Sequence, residues 1–301
     1  MNYKDYIVKT TLEALEKDLH YKDFLEKYNS NSFKSDVDRR LFEALNSVEK
    51  SPFIYKYFGI EFGKKNLIDS TLYLSNPLSF NDIKDCNVNL ITIGETYLQK
   101  LFDQELKNYS LYDRNKLRAG YKTKEFRRKF EADVIEKLNK DLIPEIGISC
   151  FTYSNNNELM WSHYAQKHEG VCIEYSFSGL IVFFSKLRKG NAFLKVSYSN
   201  SLSKIVIPDE NLINSKMAEW ISLKESHWSY EEELRLFNYP IKNRVIKIPE
   251  AVITAVYLGS KIKESHQIEI IKHVKENIPF AKIYKMQLNE EFKLIPYEVI
   301  I

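Results

Sequence analysis

Glycine is scarce in this chain, at 9 of 301 residues, and neither GxGxxG nor GxxxxGK[ST] occurs. Folds that cradle phosphates in glycine-rich loops are therefore not expected. Cysteine is limited to Cys86, Cys150 and Cys172, with no CxxC pair, which speaks against a zinc site. Cys150 and Cys172 sit in apolar runs and read as small buried hydrophobes, and the set suits a reducing cytosol. No GxSxG elbow is present, so hydrolysis by a serine triad is not expected. No apolar run approaches a membrane span; the longest, Gly179 to Ser185, has the length of a strand. Met1-Asn2-Tyr3-Lys4-Asp5 lacks the charged-then-apolar build of a signal peptide, and a cytoplasmic protein with no membrane partner is expected.

Aromatics, by contrast, are plentiful: 20 Tyr and 18 Phe within a 14% aromatic share, beside 44% hydrophobic and 28% charged residues. That composition belongs to a folded globular chain. The net charge of +3 is too small to declare a nucleic-acid binder. Basic residues nevertheless gather at Arg114, Lys116, Arg118, Lys122, Lys124, Arg127, Arg128 and Lys129. They read either as a solvated helix face or as a footprint for a phosphate-bearing partner such as a nucleic acid.

Periodicity predicts a helical segment over residues 1–50 and an α+β core domain over 51–301. The core would hold a mixed or antiparallel sheet with peripheral helices, interrupted by a helical insertion at about 92–141. Within the core, Phe53–Phe58 reads as an aromatic strand, Glu158–Gln166 as a short helix closed by Gly170 as its C′ residue, and Val171–Tyr175 as the next strand.

Two stretches carry candidate chemistry. Leu234 and Leu236 alternate with Glu233 and Arg235, so a strand would bury the leucines and show Glu231, Glu233 and Arg235 on the other face. Two carboxylates and a guanidinium in a row suit a cleft, where a carboxylate accepts a proton or stabilises a cation and Arg235 holds either a substrate anion or the carboxylate itself. The plain alternative is an edge strand whose charges face water. Lys224, Trp228 and Tyr230 precede this strand, and aromatic walls beside a charge are common in ligand pockets. The second stretch is Met160-Trp161-Ser162-His163-Tyr164-Ala165. On a helix it offers stacking rings and hydrogen-bonding tips, with Met160 and Tyr164 on one face and Trp161 and Ala165 on a neighbouring one. Trp161 and Tyr164 could equally be core residues. Lys56, between Tyr55 and Tyr57, points to solvent or into the site; periodicity leaves both open. Asn81 and Asp82 form a turn that could reach a ligand's hydroxyls.

These residues, in order, resemble a bacterial family known only as domain of unknown function 2971. The likeness covers about residues 52 to 240. The ordered set includes Phe80-Asn81-Asp82 and Gly170-Val171-Cys172-Ile173-Glu174; its specific parts are Trp161-Ser162-His163-Tyr164-Ala165 and the set Trp228, Glu231, Glu233, Arg235. Ile83 stands where the family usually has proline. More distantly, the order of elements resembles the ADP-ribosyltransferase layout. That resemblance implies NAD as substrate in a split sheet, Glu233 on the nicotinamide ribose with Glu231 beside it, and Tyr164 or Trp161 stacked on nicotinamide. Lys56 stands where those enzymes usually carry His or Arg, and Ser149-Cys150-Phe151-Thr152 echoes their Ser-Thr-Ser block. The leading expectation is an enzyme acting on a nucleotide-like ligand, in phage defence or as a toxin. Its site would comprise Glu233, Glu231 and His163 as catalytic groups and Lys56, Asn81, Asp82, Trp161, Tyr164, Lys224, Trp228 and Arg235 as ligand-binding groups. The rivals are a nucleotide- or nucleic-acid-sensing module without turnover, and a metal-dependent nuclease using Asp82, Glu231 and Glu233. The nuclease is disfavoured because no lysine is expected near the acidic pair.

Overall fold

A computed structural model describes residues 51–187 and 190–299, so the helical segment expected over residues 1–50 lies outside the described residues. In chain order, β1 (Phe53–Phe58), α1 (Ile60–Asp69) and β2 (Thr71–Tyr73) are followed by β3 (Ile91–Ile93). The insertion then folds as α2 (Glu95–Glu105), α3 (Leu111–Tyr121) and α4 (Lys124–Lys137). Next come β4 (Gly147–Thr152), α5 (Glu158–His163), β5 (Val171–Ser176), α6 (Phe177–Lys186) and β6 (Asn191–Lys195). The short strands β7 (Ser197–Ser199) and β8 (Ile205–Ile207) lead to α7 (Ile213–Ile221) and β9 (Leu223–Glu225). The chain ends with β10 (Glu233–Asn238), β11 (Val245–Lys247), β12 (Ile253–Leu258), α8 (Glu264–Asn277), β13 (Lys282–Leu288) and β14 (Leu294–Glu298).

The architecture is α+β, built on one eight-stranded mixed sheet in the order β14-β13-β12-β5-β1-β4-β10-β6. Only β12–β13 is parallel among its neighbours. α8 makes that crossover, as a parallel connection requires. One face of the sheet packs Ile54, Phe58, Ile173, Leu234, Leu236 and Val256 against Leu67 of α1, Leu180 of α6 and Ile270 of α8. The opposite face has two cores. Tyr57, Cys172, Tyr257 and Met286 pack with Trp161. Ile148 and Leu194 pack with Trp220 of α7 and Leu98 of α2.

The apolar run Gly179 to Ser185 lies in α6, which Ser176 caps by accepting from the Gly179 N–H. The backbone also settles two readings of the sequence. Gly170 is not a left-handed C′ residue. The end of α5 is instead followed by Gln166, Lys167 and His168, all at positive φ (49°, 54° and 71°). Gly170 is required by close approach, since a Cβ there would stand 2.1 Å from the Phe58 carbonyl oxygen. Finally, β10 is an interior strand between β4 and β6, so both its faces are covered and its charges do not meet water.

The strand pair that matters for the site is β1–β4. It is reduced to a single residue pair, Tyr55 with Thr152. Four residues back along the same edge of β4, Ile148 exchanges two hydrogen bonds with Ser75, at 2.7 and 2.9 Å. Between these two anchors the sheet is split, and Cys150 faces the gap.

A candidate active site at the split in the sheet

The split opens into a cavity of about 110 Å³ lined by Tyr55, Lys56 and Tyr57 of β1, Cys150, Phe151 and Thr152 of β4, Met160 and Tyr164 from the α5 segment, Phe80, Asn81 and Asp85 from the loop after β2, and Lys224, Glu231 and Glu233. The pairing inferred for the α5 helix holds: Met160 and Tyr164 turn to the cavity, while Trp161 and Ala165 are fully buried behind it.

Glu231 and Glu233 arrive by a route that simple alternation does not describe. Glu231 ends a 3₁₀ turn, Ser226–Glu231, and β10 begins only at Glu233. Glu232 between them is left-handed (φ 44°), a costly conformation for a residue with a Cβ, and its side chain is exposed. The flip turns both flanking carboxylates inward.

Their environments differ. Both oxygens of Glu233 are engaged: Arg235 donates to Oε1 from Nε (2.8 Å) and to Oε2 from Nη2 (3.0 Å), and Lys224 adds a bond to Oε2 (3.1 Å). Burial alone would raise its pKa, but Arg235 and Lys224 outweigh burial and hold the carboxyl well below the usual range. Among the described residues Glu231 accepts from Tyr164 Oη (2.6 Å) and Lys224 Nζ (2.5 Å). There burial prevails and pushes the carboxyl up, against the pull of Lys224. Of the two, Glu231 is the less firmly held, and Glu233 is the anion that holds both cations.

Arg235 is fully buried behind Glu233. Its other partners are both oxygens of Asp85 (2.9 and 2.5 Å) and the Ile221 carbonyl. It therefore holds the carboxylates and reaches no ligand, the second of the two roles left open for it. Lys224 touches Glu231 and Glu233 and lies 3.5 Å from Asp85, so a lysine does stand at the acidic pair. The expectation of none fails because the lysine sits on the preceding β9, not after the pair.

Lys56 turns into the site. Its ammonium donates to the Cys150 carbonyl (2.8 Å), the group left without a strand partner by the split. It lies 5.5 and 5.7 Å from the Phe151 and Phe58 ring centres and forms no ion pair among the described residues. Burial lowers its pKa. Burial likewise raises the Cys150 thiol, with Glu233 adding to the effect, so this cavity cysteine is no ready nucleophile.

The remaining expected residues are not in the cavity wall. Trp161 is edge-on to Tyr57 at 5.2 Å and donates to the Asn155 carbonyl. His163 is exposed, its ring 6.3 Å from those of Tyr164 and Tyr230. Asp82 accepts from the Lys84 N–H within its own turn. Trp228 lies behind Lys224, whose ammonium is 5.1 Å from the indole centre. The residue that sequence reading missed is Asp85. The signal was available: a guanidinium on a buried strand needs more than one carboxylate, and Asp85 is three residues from the turn already singled out. Tyr55 was also missed as a site group. It lines the cavity beside Tyr257 (ring centres 5.9 Å apart), whose hydroxyl donates to Glu174 (2.7 Å), a buried carboxylate that also accepts from Thr254 (2.8 Å).

Residues 160–236, the segment running from α5 to β10, match the model of the family described as "Protein of unknown function (DUF2971)". No curated protein and no solved structure matches the chain. Among the described residues no helix is long and apolar enough to cross a membrane.

Proposed function

We propose that the chain is an enzyme acting on a nucleotide-like ligand, with NAD as the first candidate substrate, at the cavity in the split sheet. One observation carries this reading. Glu231 with Tyr164 on one side, and the Lys56 ammonium, which has no carboxylate partner among the described residues, on the other, face the same small space from separate segments of the chain. Buried charges are costly unless partnered, and Lys56 is left to meet an anionic group such as a ligand phosphate. Glu231 is suited to take a proton. In NAD cleavage the bond between nicotinamide and ribose breaks, a water oxygen bonds to the ribose carbon, and Glu231 receives the water's proton. An enzyme consuming NAD would suit a toxin or a phage-defence protein.

The nuclease reading finds less support. The site carboxylates are already held by Arg235 and Lys224, which a metal would have to displace. Among the described residues no group of three metal-binding side chains is assembled. The basic run of residues 114–129 contributes nothing to the cavity wall.

The test is release of free nicotinamide from NAD by the purified protein. Glu231→Gln is expected to lower the rate by about a hundredfold or more, the size of a general-base contribution, with an unchanged circular-dichroism spectrum. Absence of nicotinamide release, or full turnover in that variant, defeats the reading.

A further inference from the structure

The chain has three tryptophans, and the fold treats them differently. Trp161 and Trp220 are fully buried, and each indole N–H donates to a backbone carbonyl, of Asn155 (2.8 Å) and Asn87 (2.9 Å). Trp228 is partly exposed, and its Nε1 has no hydrogen-bond partner among the described residues. The first two are locked core residues; no hydrogen bond fixes the third.

Trp228 begins a file of rings along the rim of the cavity. Its centre is 6.1 Å from Tyr230 at 39° between planes. Tyr230 is 6.3 Å from His163 at 47°, and His163 is 6.3 Å from Tyr164 at 40°. All four side chains are at least partly exposed. By contrast, Tyr257 and Tyr284 stack at 4.8 Å and 13°. The rim rings are wider apart and tilted, so none stacks flat on the next. One end of the file reaches the cavity through Tyr164, which lines it; at the other end Lys224, which also lines it, sits over Trp228.

A space of about 110 Å³ encloses one small group, against roughly 300–1,000 Å³ for pockets that take a whole drug-sized ligand. The rest of a nucleotide must lie outside. We infer that the Trp228–Tyr230–His163–Tyr164 file is a stacking platform for the planar ring of a nucleotide whose compact head occupies the cavity. The inference rests on reading that cavity as a nucleotide site. Aromatic platforms accept any base, because every base has a π-face, and the contact strengthens when water is displaced from both rings.

The placement of the tryptophans supplies the test. Titration with AMP is expected to change tryptophan emission saturably, while ribose 5-phosphate, which lacks the ring, is expected to bind more weakly and leave emission unchanged. Trp228→Phe should remove the optical response yet keep AMP binding, read by calorimetry, within a few-fold. The double variant Trp228→Leu, Tyr230→Ala should raise the Kd for AMP about tenfold or more. An unaltered Kd in the double variant, equal affinity for ribose 5-phosphate, or no binding of AMP to the wild type overturns the inference. Turnover separates the two proposals. Saturable AMP quenching without NAD cleavage leaves the platform and removes the enzyme. NAD cleavage with no optical response, and an unchanged KM in the double variant, does the reverse.

Discussion

Glu231 and Glu233 are two residues apart and chemically alike, yet their surroundings give them opposite tasks. Glu233→Gln withdraws an anion that Arg235 and Lys224 share. We expect it to destabilise the fold by ~3 kcal/mol at pH 7, at the lower end for breaking a buried pair because Asp85 keeps its hold on Arg235. Urea denaturation of the variant and the wild type checks this. Glu233 has a depressed folded pKa, so its contribution is present above the unfolded carboxylate value of about 4.3 and is lost as pH falls through the folded value. The gap between variant and wild type should therefore narrow below about pH 4. Glu231 has a raised folded pKa, so its contribution is present below the unfolded value and lost as pH rises through the folded one. Glu231→Gln is accordingly expected to cost less at pH 7 than Glu233→Gln, in the same urea experiment, with Lys224 still held by Glu233.

At the scale of elements, the turn from α5 into β5 shows how a short segment is forced into shape. Three successive left-handed residues reverse the chain after α5. Hydrogen bonds from the Lys167 and His168 N–H groups to the Ser162 and Trp161 carbonyls hold them there (3.2 and 3.1 Å). Lys167 is exposed, so Lys167→Gly relieves a left-handed strain of about 1–2 kcal/mol, offset by the entropy glycine loses, for a net gain of roughly 0.5–1 kcal/mol. Gly170→Ala should do the opposite. Its Cβ would meet the Phe58 and Ala165 backbone, which cannot move aside without disturbing β1, and a loss of more than about 2 kcal/mol is expected. Thermal denaturation of the pair checks both signs. Taken from sequence, Gly170 has the look of a helix-stop glycine; only the packing of β1 on this turn reveals its real constraint. The strands themselves were more legible. β1, β5 and β10 stand within a residue or two of where aromatic content and alternation put them, since those patterns are local.

For the molecule as a whole, the ion cluster fastens distant parts of the chain together. Asp85, in the loop after β2, pairs with Arg235 on β10 across 150 residues of sequence. Asp85→Asn should loosen the loop that also supplies Phe80 and Asn81 to the cavity. Hydrogen exchange is expected to speed up over residues 80–87 while β5 and β12 keep their protection; equal protection in the two proteins would show that the loop is held by other contacts. The α+β class, the helical insertion and the acidic and tryptophan-bearing segments were all present in periodicity and residue type, because amphipathic patterns report which side of an element is covered. Three things lay outside the reach of any local pattern. The parting of β1 from β4 depends on Ser75 taking the edge that β1 abandons. The direction of Lys56 depends on the carbonyl this leaves open. The division of roles between Glu231 and Glu233 depends on which carboxylate the guanidinium of Arg235 reaches. Sequence determined the parts, since burial and alternation act over a few residues. Tertiary structure decided their charge states, since a carboxyl's proton affinity is set by the neighbours and the water that folding brings to it or takes away.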